Sequence, residues 1–149
     1  MMPKIRRYED RDFAEYASTL EKTTSWGKEA RDELRAMLAK VSKEQIWIAE
    51  VDGRAVGFMI LTSNDDCSLE VDWLDVHPDF QRRGIGTILV KKAVEIAKEK
   101  NCGFLSVHTW ETNEKMMTFS IKNGFKIVEC LRNFYGEGKD ALLLKKKLR

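Results

Sequence analysis

A long amphipathic segment between two apolar runs constrains the fold of this chain more than any other feature. In residues 84–100 apolar side chains recur at helical spacing, while lysine and glutamate fill the other positions, which predicts a helix with one buried face. The flanking residues 67–76 and 104–109 are rich in strand formers. A strand, a helix and a strand of these lengths predict a right-handed β-α-β crossover inside a mixed sheet.

The remaining elements follow from turn signals and periodicity. Residues 45–51 and 55–62 flank Asp52-Gly53, a dipeptide that supplies the positive φ angles of a type I′ hairpin. Further strands are predicted at 4–8, 125–134 and 141–148, and further helices after Asp10 and at about 28–40 and 113–122. The predicted order is β-α-α-β-β-β-α-β-α-β-β. This is an α/β fold with a central mixed, mostly antiparallel sheet flanked by about four helices.

The composition suits a single soluble domain spanning residues 1–149. The chain has 26 Lys and Arg against 24 Asp and Glu, a balance that favours an enzyme over a nucleic-acid binder. The longest uncharged apolar stretch, residues 55–61, is far too short for a membrane span, and residues 1–8 are basic without the apolar core of a leader. We therefore expect a cytoplasmic monomer or homodimer with neither a nucleic-acid nor a membrane partner.

The cysteines and histidines argue against a metal site or a disulfide framework. Three cysteines, Cys67, Cys102 and Cys130, are an odd number at wide spacing, and His77 and His108 are the two histidines. This pattern matches neither a paired-cysteine scaffold nor a Cys-x-x-Cys zinc site. No metal is expected.

A glycine-bearing loop lies between the predicted strand 67–76 and the long helix. Unpaired backbone N–H groups and the helix dipole favour an anion at such a position. The loop adds two glycines for close backbone approach, two cations and a hydroxyl: Gly84, Gly86, Arg82, Arg83 and Thr87. The glycines could instead serve close helix-to-sheet packing. Neither a Walker A nor a dinucleotide-binding pattern is present, so a pyrophosphate other than that of ATP or NAD is expected.

The same loop resembles a known signature. Residues 76–86, Val-His-Pro-Asp-Phe-Gln-Arg-Arg-Gly-Ile-Gly, resemble the acetyl-CoA signature Gln/Arg-x-x-Gly-x-Gly/Ala of the GNAT acetyltransferase superfamily. Asn113 followed by Lys122-Asn123-Gly124-Phe125 is similar to the Asn…Gly-Phe element of that superfamily, and the element order matches throughout. The resemblance implies the GNAT acyl-CoA N-acyltransferase fold. It also implies acetyl-CoA as cosubstrate between strands 69–76 and 104–109, and direct attack by an amine without an acyl-enzyme.

The resemblance further implies which residues bind acetyl-CoA. Backbone groups of the strand would pair with the pantetheine arm, the loop would hold the pyrophosphate, and a backbone N–H near Val76 would stabilise the oxyanion. The implied residues are Leu74, Asp75, Val76, Gln81, Arg82, Arg83, Gly84, Ile85, Gly86, Thr87, Asn113 and Ser120. Many relatives have a tyrosine at the position of Ser120, as general acid for the CoA thiolate. Since a thiol pKa near about 8.5 needs modest assistance, Ser120 could instead bind the sulfur or a water.

Two carboxylates are candidates for the general base. Strand alternation places Glu70 and Asp72 on one face, with Cα atoms roughly 6–7 Å apart, so either could take a proton from an incoming ammonium. They could equally be the solvated side of a half-exposed strand. Glu70 matches the catalytic glutamate of histone-acetylating relatives. Tyr135 is a candidate acid or substrate contact, with a packing role as the alternative.

The acceptor is left open by the sequence. Residues 132–135 and 139–141, Arg-Asn-Phe-Tyr and Lys-Asp-Ala, are similar to the Arg-Asn-Tyr-Tyr…Asp-Ala stretch of the ribosomal and N-terminal protein acetyltransferase branch. The resemblance implies a protein or peptide N-terminus or lysine as acceptor. A small amine such as a polyamine, amino acid or aminoglycoside is the alternative, and a non-catalytic acetyl-CoA sensor is a further one.

Overall fold

The computed structural model describes residues 2–23 and 29–148. They form seven strands and four α-helices in the predicted order. The strands are β1 (Lys4–Arg7), β2 (Ile46–Val51), β3 (Arg54–Ser63), β4 (Ser68–Val76), β5 (Phe104–Trp110), β6 (Lys126–Leu131) and β7 (Ala141–Lys147). The helices are α1 (Arg11–Thr23), α2 (Ala30–Leu38), α3 (Ile85–Glu99) and α4 (Glu114–Lys122). Lys28, at which the second helix was expected to begin, lies outside the described residues.

The chain divides into two compact units. The first comprises the described residues up to Ile60 together with Trp73–Leu89. The second comprises Leu61–Asp72 together with the described residues from Val90 onward. Strands β3 and β4 and helix α3 therefore contribute residues to both units.

The first unit packs α1 and α2 on an antiparallel layer. Strand β1 pairs with β2, and β2 with β3, both antiparallel. The turn between β2 and β3 has φ of 51° at Asp52 and 80° at Gly53, which confirms the predicted hairpin. The core contains Tyr16 stacked on Phe58, with ring centroids 4.6 Å apart, and it also contains the apolar faces of both helices.

A glycine on β3 allows α3 to approach the strand closely. A Cβ added at Gly57 would lie 3.0 Å from Ala49 Cβ and 3.1 Å from Leu89 Cδ1, distances at which a neighbour must shift. By contrast, nothing lies within 4 Å of a Cβ added at Gly84. Close helix-to-sheet packing, one of the two explanations for the loop glycines, therefore does not apply to Gly84.

The second unit contains the parallel strand pair. Its strands lie in the order β4-β5-β7-β6, and β4 runs parallel to β5 from the pair Ser68–Phe104 to the pair Glu70–Ser106. The β5–β7 and β6–β7 pairs are antiparallel. The parallel pair confirms the predicted β-α-β unit. The three cysteines are free thiols.

The predicted extent of β6, residues 125–134, is wrong at its far end. The strand ends at Leu131 and a turn follows. Asn133 has a φ of 56°, a left-handed conformation that interrupts a strand. Its N–H donates to Asp140 Oδ1 at 2.9 Å, and its own Oδ1 accepts from the Gly138 N–H at 2.8 Å. These local hydrogen bonds replace the strand ladder and fix residues 132–140 as a loop, called the 132–140 loop below.

The fold class is confirmed as a mixed, mostly antiparallel sheet flanked by four helices among the described residues. No helix in the described part of the chain is long and apolar enough to cross a membrane.

Candidate active site

The loop of residues 77–84, for which anion binding is predicted and which we call the anion-binding loop, contains two left-handed backbone positions. After β4 ends at Val76, a short 3₁₀ turn over Pro78–Phe80 leads into the loop, and α3 begins at Ile85. Arg82 has a φ of 62° and Gly84 a φ of 82°. A residue with a side chain rarely adopts a positive φ, and such positions cluster at binding and catalytic sites. The assignment of this loop as an acetyl-CoA site stays a prediction.

The start of α3 presents donors without acceptors. The first helical hydrogen bond runs from the Ile88 N–H to Gly84 O at 3.0 Å, so the N–H groups of Ile85, Gly86 and Thr87 have no partner within the helix. The first turn carries no acidic residue, which leaves the positive end of the dipole uncompensated. Arg82 and Arg83 are exposed beside it. These features suit a pyrophosphate.

The polar backbone groups of Val76 are engaged by neighbouring side chains. Its N–H donates to Asp75 Oδ1 at 2.9 Å, and its carbonyl accepts from Gln81 Nε2 at 2.9 Å. Burial raises the pKa of Asp75, and the hydrogen bond from Val76 opposes that effect. An oxyanion or pantetheine contact with the N–H of Val76, as the resemblance implies, requires Asp75 to release this group first, whereas the carbonyl has a second lone pair that can accept another hydrogen bond.

A cluster of polar side chains in the second unit surrounds the two candidate bases. Glu70 Oε1 accepts a hydrogen bond from Ser106 Oγ at 3.2 Å and lies 2.9 Å from His108 Nδ1. Asp72 Oδ2 accepts a hydrogen bond from the Thr62 hydroxyl. We call these five residues the carboxylate cluster. Their convergence confirms that Glu70 and Asp72 share one face of β4.

The two carboxylates influence each other's charge. Although Asp72 as a residue is exposed, partial burial of its carboxyl group raises its pKa to about 6. The Thr62 hydroxyl and the charge of His108 lower the pKa of Asp72, whereas its hydrogen bond to Glu70 and the charge of Glu70 raise it. Burial, assisted by the neighbouring charge of Glu70, therefore keeps Asp72 protonated at mildly acidic pH.

His108 is a member of this cluster that sequence reasoning missed. Its Nδ1 is buried, and it approaches Glu70 without the alignment of a hydrogen bond. Its ring stacks on Phe134, with centroids 4.8 Å apart and planes at 5°. A signal was available, because Ser106 pairs with Glu70 in the parallel register and His108 lies two residues further along the same face of β5.

Aromatic side chains of the 132–140 loop line the cluster. Tyr135 stacks on Trp110 with centroids 5.4 Å apart and meets Phe134 edge to face at 5.0 Å. Trp110 is 44% exposed and Phe134 is 50% exposed, unusually open for large apolar residues. Burial and the charge of Glu70 raise the pKa of Tyr135, so its phenol stays protonated at neutral pH and remains a donor.

Two implied acetyl-CoA ligands lie on or next to α4. Asn113 caps this helix, since its Oδ1 accepts from the Met116 N–H at 3.1 Å. Ser120 is 1% exposed, and its carbonyl accepts from the Phe125 N–H at 3.0 Å. Both residues therefore have structural roles, and their contacts with acetyl-CoA stay predictions.

The element order, the parallel β4–β5 pair and the glycine-bearing start of α3 define a protein of the acyl-CoA N-acyltransferase fold. The sequence profile described as "Acetyltransferase (GNAT) family" matches residues 5–125. The chain belongs to that family.

Individual relatives agree with this placement. An uncharacterized N-acetyltransferase of Methanocaldococcus jannaschii is 29% identical over 103 residues, 65% of this chain and 46% of that protein. N-alpha-acetyltransferase 30 of Xenopus laevis is 38% identical over 76 residues, 51% of this chain and 28% of that protein. The chain thus spans half or less of the length of these two relatives. The crystal structure of Ard1 from Thermoplasma volcanium superposes with a TM-score of 0.84 at 19% identity, covering 100% of this chain and 99% of that one, and shows the same fold.

Proposed function

We propose that this protein is an acetyl-CoA-dependent N-acetyltransferase whose acceptor is the α-amine of a protein or peptide N-terminus. The observation that carries the proposal is the carboxylate cluster, in which Asp72, with a pKa of about 6, stands beside Glu70 and His108. The similarity to N-alpha-acetyltransferase 30 supports the choice of acceptor.

The strength of this base favours an α-amine over a lysine. An ammonium has no lone pair, and at pH 7 its deprotonation costs about 1 kcal/mol for an α-amine and about 4.6 kcal/mol for a lysine side chain. Asp72, with a pKa of about 6, is ionised at neutral pH. Proton transfer to it is uphill by about two pKa units from an α-amine and by more than four from a lysine.

The chain's own residues supply the proton transfers. Acetyl-CoA provides the thioester, whose acetyl carbon forms a bond to the amine nitrogen while the carbon–sulfur bond breaks and sulfur leaves with its electron pair. The Glu70–Asp72 pair takes the ammonium proton directly or through water. The nitrogen releases its second proton as the amide forms. Tyr135, a protonated phenol beside the cluster, would donate a proton to the leaving sulfur and take up the released one through water.

The residues of the loop fit the phosphate-bearing donor. Acetyl-CoA carries a pyrophosphate, and the free N–H groups at Ile85, Gly86 and Thr87 are donors suited to it. Arg82 and Arg83 supply fixed positive charge. The open space beside Gly84 leaves room for close approach of a ligand to the backbone.

The test is release of the CoA thiol from acetyl-CoA in the presence of three acceptor sets: peptides with free N-termini, N-terminally blocked peptides with internal lysine, and small polyamines. We expect turnover with free N-termini, and a loss of at least about 100-fold in Glu70→Gln, as is typical when a general base is removed. Glu129→Gln, which removes an exposed carboxylate from β6, is the matched control and should retain full activity.

Each other result has a definite meaning. Turnover restricted to blocked lysine peptides or to polyamines would replace the α-amine with that acceptor and leave the reaction class intact. Tight acetyl-CoA binding without turnover on any acceptor would contradict catalysis and favour a sensor.

A further inference from the structure

Strand β6 is the most exposed of the described strands. Its first five residues, Lys126–Cys130, are exposed, and Leu131 is partly buried. In each of the other described strands at least half of the positions are buried or partly buried. The apolar side chains of Ile127 and Val128 are 49% and 54% exposed. An exposed strand that carries apolar side chains is a template for pairing with another chain.

One side of the β6 backbone has no neighbouring strand among the described residues, since β7 lies on the other side. Strand β1, the outermost strand of the first unit, differs in charge. Three of its four residues are cations, so two copies of β1 laid side by side would repel each other. Strand β6 has one cation and one anion, Lys126 and Glu129, and two copies of it can attract each other.

The two charges of β6 have no counterion within the described part of the chain. Neither Lys126 nor Glu129 forms an ion pair with a described residue, and both are exposed. Lys126 lies directly opposite another cation, Lys145 of β7, an arrangement that is unfavourable across a strand pair. Lys145 has Asp66 as its partner, at 3.4 Å. Lys126 is therefore the cation at this edge that a carboxylate from outside would compensate.

A bulge in β6 places its two charges on one face of the sheet. Lys126 pairs with Lys145 and Glu129 with Leu143, so three steps along β6 match two steps along β7, and Val128 is the extra residue. In a regular strand, residues three apart point to opposite faces. Because Lys145 and Leu143 are two apart, Lys126 and Glu129 share a face.

This arrangement makes the strand complementary to itself. When identical strands pair antiparallel about a two-fold axis, residue i of one copy faces residue j of the other, and j faces i. With the axis between Ile127 and Val128, Lys126 faces Glu129 at two equivalent places. Residues that face each other across an antiparallel pair lie on the same side of the sheet, a condition that the bulge meets.

We propose that β6 pairs with β6 of a second copy of this chain, antiparallel about a two-fold axis, with Lys126 of each copy opposite Glu129 of the other. The pairing covers Ile127 and Val128 at its centre. It closes on itself, so it produces a dimer and not a filament. The pairing adds no group to the carboxylate cluster, and the inference does not rest on the proposed function.

The small contact area implies a weak dimer. Six residues extend over roughly 20 Å of strand, and one strand pair covers less than the roughly 1,200–2,000 Å² that a stable interface buries. We expect a dimer dissociation constant of about 10–100 µM. Sedimentation velocity of the full chain, from about 1 to about 500 µM, should therefore show a monomer that converts to a dimer as concentration rises.

Charge reversal tests the register. Lys126→Glu and Glu129→Lys each replace two attractive contacts with two repulsive ones, so each should weaken the dimer by at least about 10-fold. The double variant Lys126→Glu/Glu129→Lys restores opposite charges at both places and should dimerise within about threefold of wild type. Lys91→Glu, which reverses an exposed cation on α3, is the matched control and should stay within about twofold.

Each outcome decides the proposal. A chain that stays monomeric over the whole range would overturn it and would leave β6 to solvent or to a different protein. A dimer that both single reversals leave unchanged would place the interface elsewhere, and a double variant as weak as the single ones would refute the pairing of Lys126 with Glu129. Growth beyond the dimer would contradict a closed two-fold pair. Acetyl transfer at nanomolar protein should be equal in all variants, and its absence would count against the proposed function alone.

Discussion

The anion-binding loop and the carboxylate cluster carry charge in different ways. The loop uses backbone N–H groups at the start of α3 together with Arg82 and Arg83, none of which changes charge near neutral pH. The cluster uses Glu70 and Asp72, and burial raises the pKa of Asp72 to about 6. One region is therefore a permanent positive site and the other a titrating negative site. A change of pH or of a single residue should therefore affect either ligand binding or proton transfer and leave the other unchanged.

Replacing the titrating carboxylate should give the largest effect. Asp72→Asn removes the group with the raised pKa and leaves the loop unchanged. We expect kcat/KM with an N-terminal peptide to fall about 10²- to 10⁴-fold, the usual contribution of a general base, while the Kd of CoA stays within about twofold.

Stability provides the control for this variant. The folded-state pKa of Asp72 is raised from 3.8 to about 6, so its contribution to the free energy of unfolding is fully present below about pH 4 and lost as pH rises through about 6. The Asn variant should therefore be at least as stable as wild type at pH 7, measured by urea unfolding. A destabilised variant, or one that loses CoA binding, would show that the two regions are not separable.

The pH dependence of wild type should give the next largest effect. Because the active base is deprotonated and Asp72 has a pKa of about 6, kcat/KM should fall about fivefold between pH 6 and pH 5. The Kd of CoA should change much less over that interval, since the loop charges are constant. Parallel declines of both quantities would contradict the assignment of the titrating group to the cluster.

Two glycines with similar backbone geometry allow a matched test of the loop. Gly84 has a φ of 82° and Gly138 a φ of 73°, and a Cβ at either would meet nothing within 4 Å. An alanine at a positive φ costs about 1–2 kcal/mol without a clash. We expect Gly84→Ala to weaken CoA binding about 5- to 10-fold, and Gly138→Ala to leave it unchanged while raising the KM of the acceptor. If Gly138→Ala weakened CoA binding and Gly84→Ala raised the KM of the acceptor, the roles assigned to the two loops would be exchanged.

Replacing His108 should give the smallest effect. The charge of His108 lowers the pKa of Asp72, so His108→Gln should move the acidic limb of the kcat/KM profile to higher pH, by less than about one unit. His77→Gln, at the other histidine, should leave the limb in place. A profile unchanged in His108→Gln would remove this residue from the proton-transfer group.

Local sequence patterns predicted most of the helices and strands and some residues of the candidate active site. Asp52-Gly53 predicted the hairpin because a two-residue turn demands specific φ angles, and the period of two along β4 placed Glu70 and Asp72 together. The loop before α3 was found because its glycines and arginines are contiguous in sequence. Each of these features depends on residues within about ten positions of one another, where spacing alone fixes geometry.

Features that depend on distant residues were not predicted. Glu70 was preferred as the base, yet the raised pKa belongs to Asp72, because burial of its carboxyl group raises that pKa and the hydrogen bond from Thr62 only partly opposes the effect. His108 joins the cluster through the β4–β5 register. The end of β6 was misplaced because Asn133 hydrogen-bonds to Asp140 and Gly138, and no local pattern predicts that loop.

The hydrogen bonds at Val76 have a thermodynamic consequence. Asp75 already occupies the N–H of that residue, so a ligand that pairs with this N–H exchanges a hydrogen bond and does not add one. The net enthalpy of this contact should be small, because a bond is broken for the bond formed. The ligand must also free the Asp75 side chain, which gains rotamer entropy when released. Recognition at this strand end would thus be driven more by entropy than the number of polar contacts suggests.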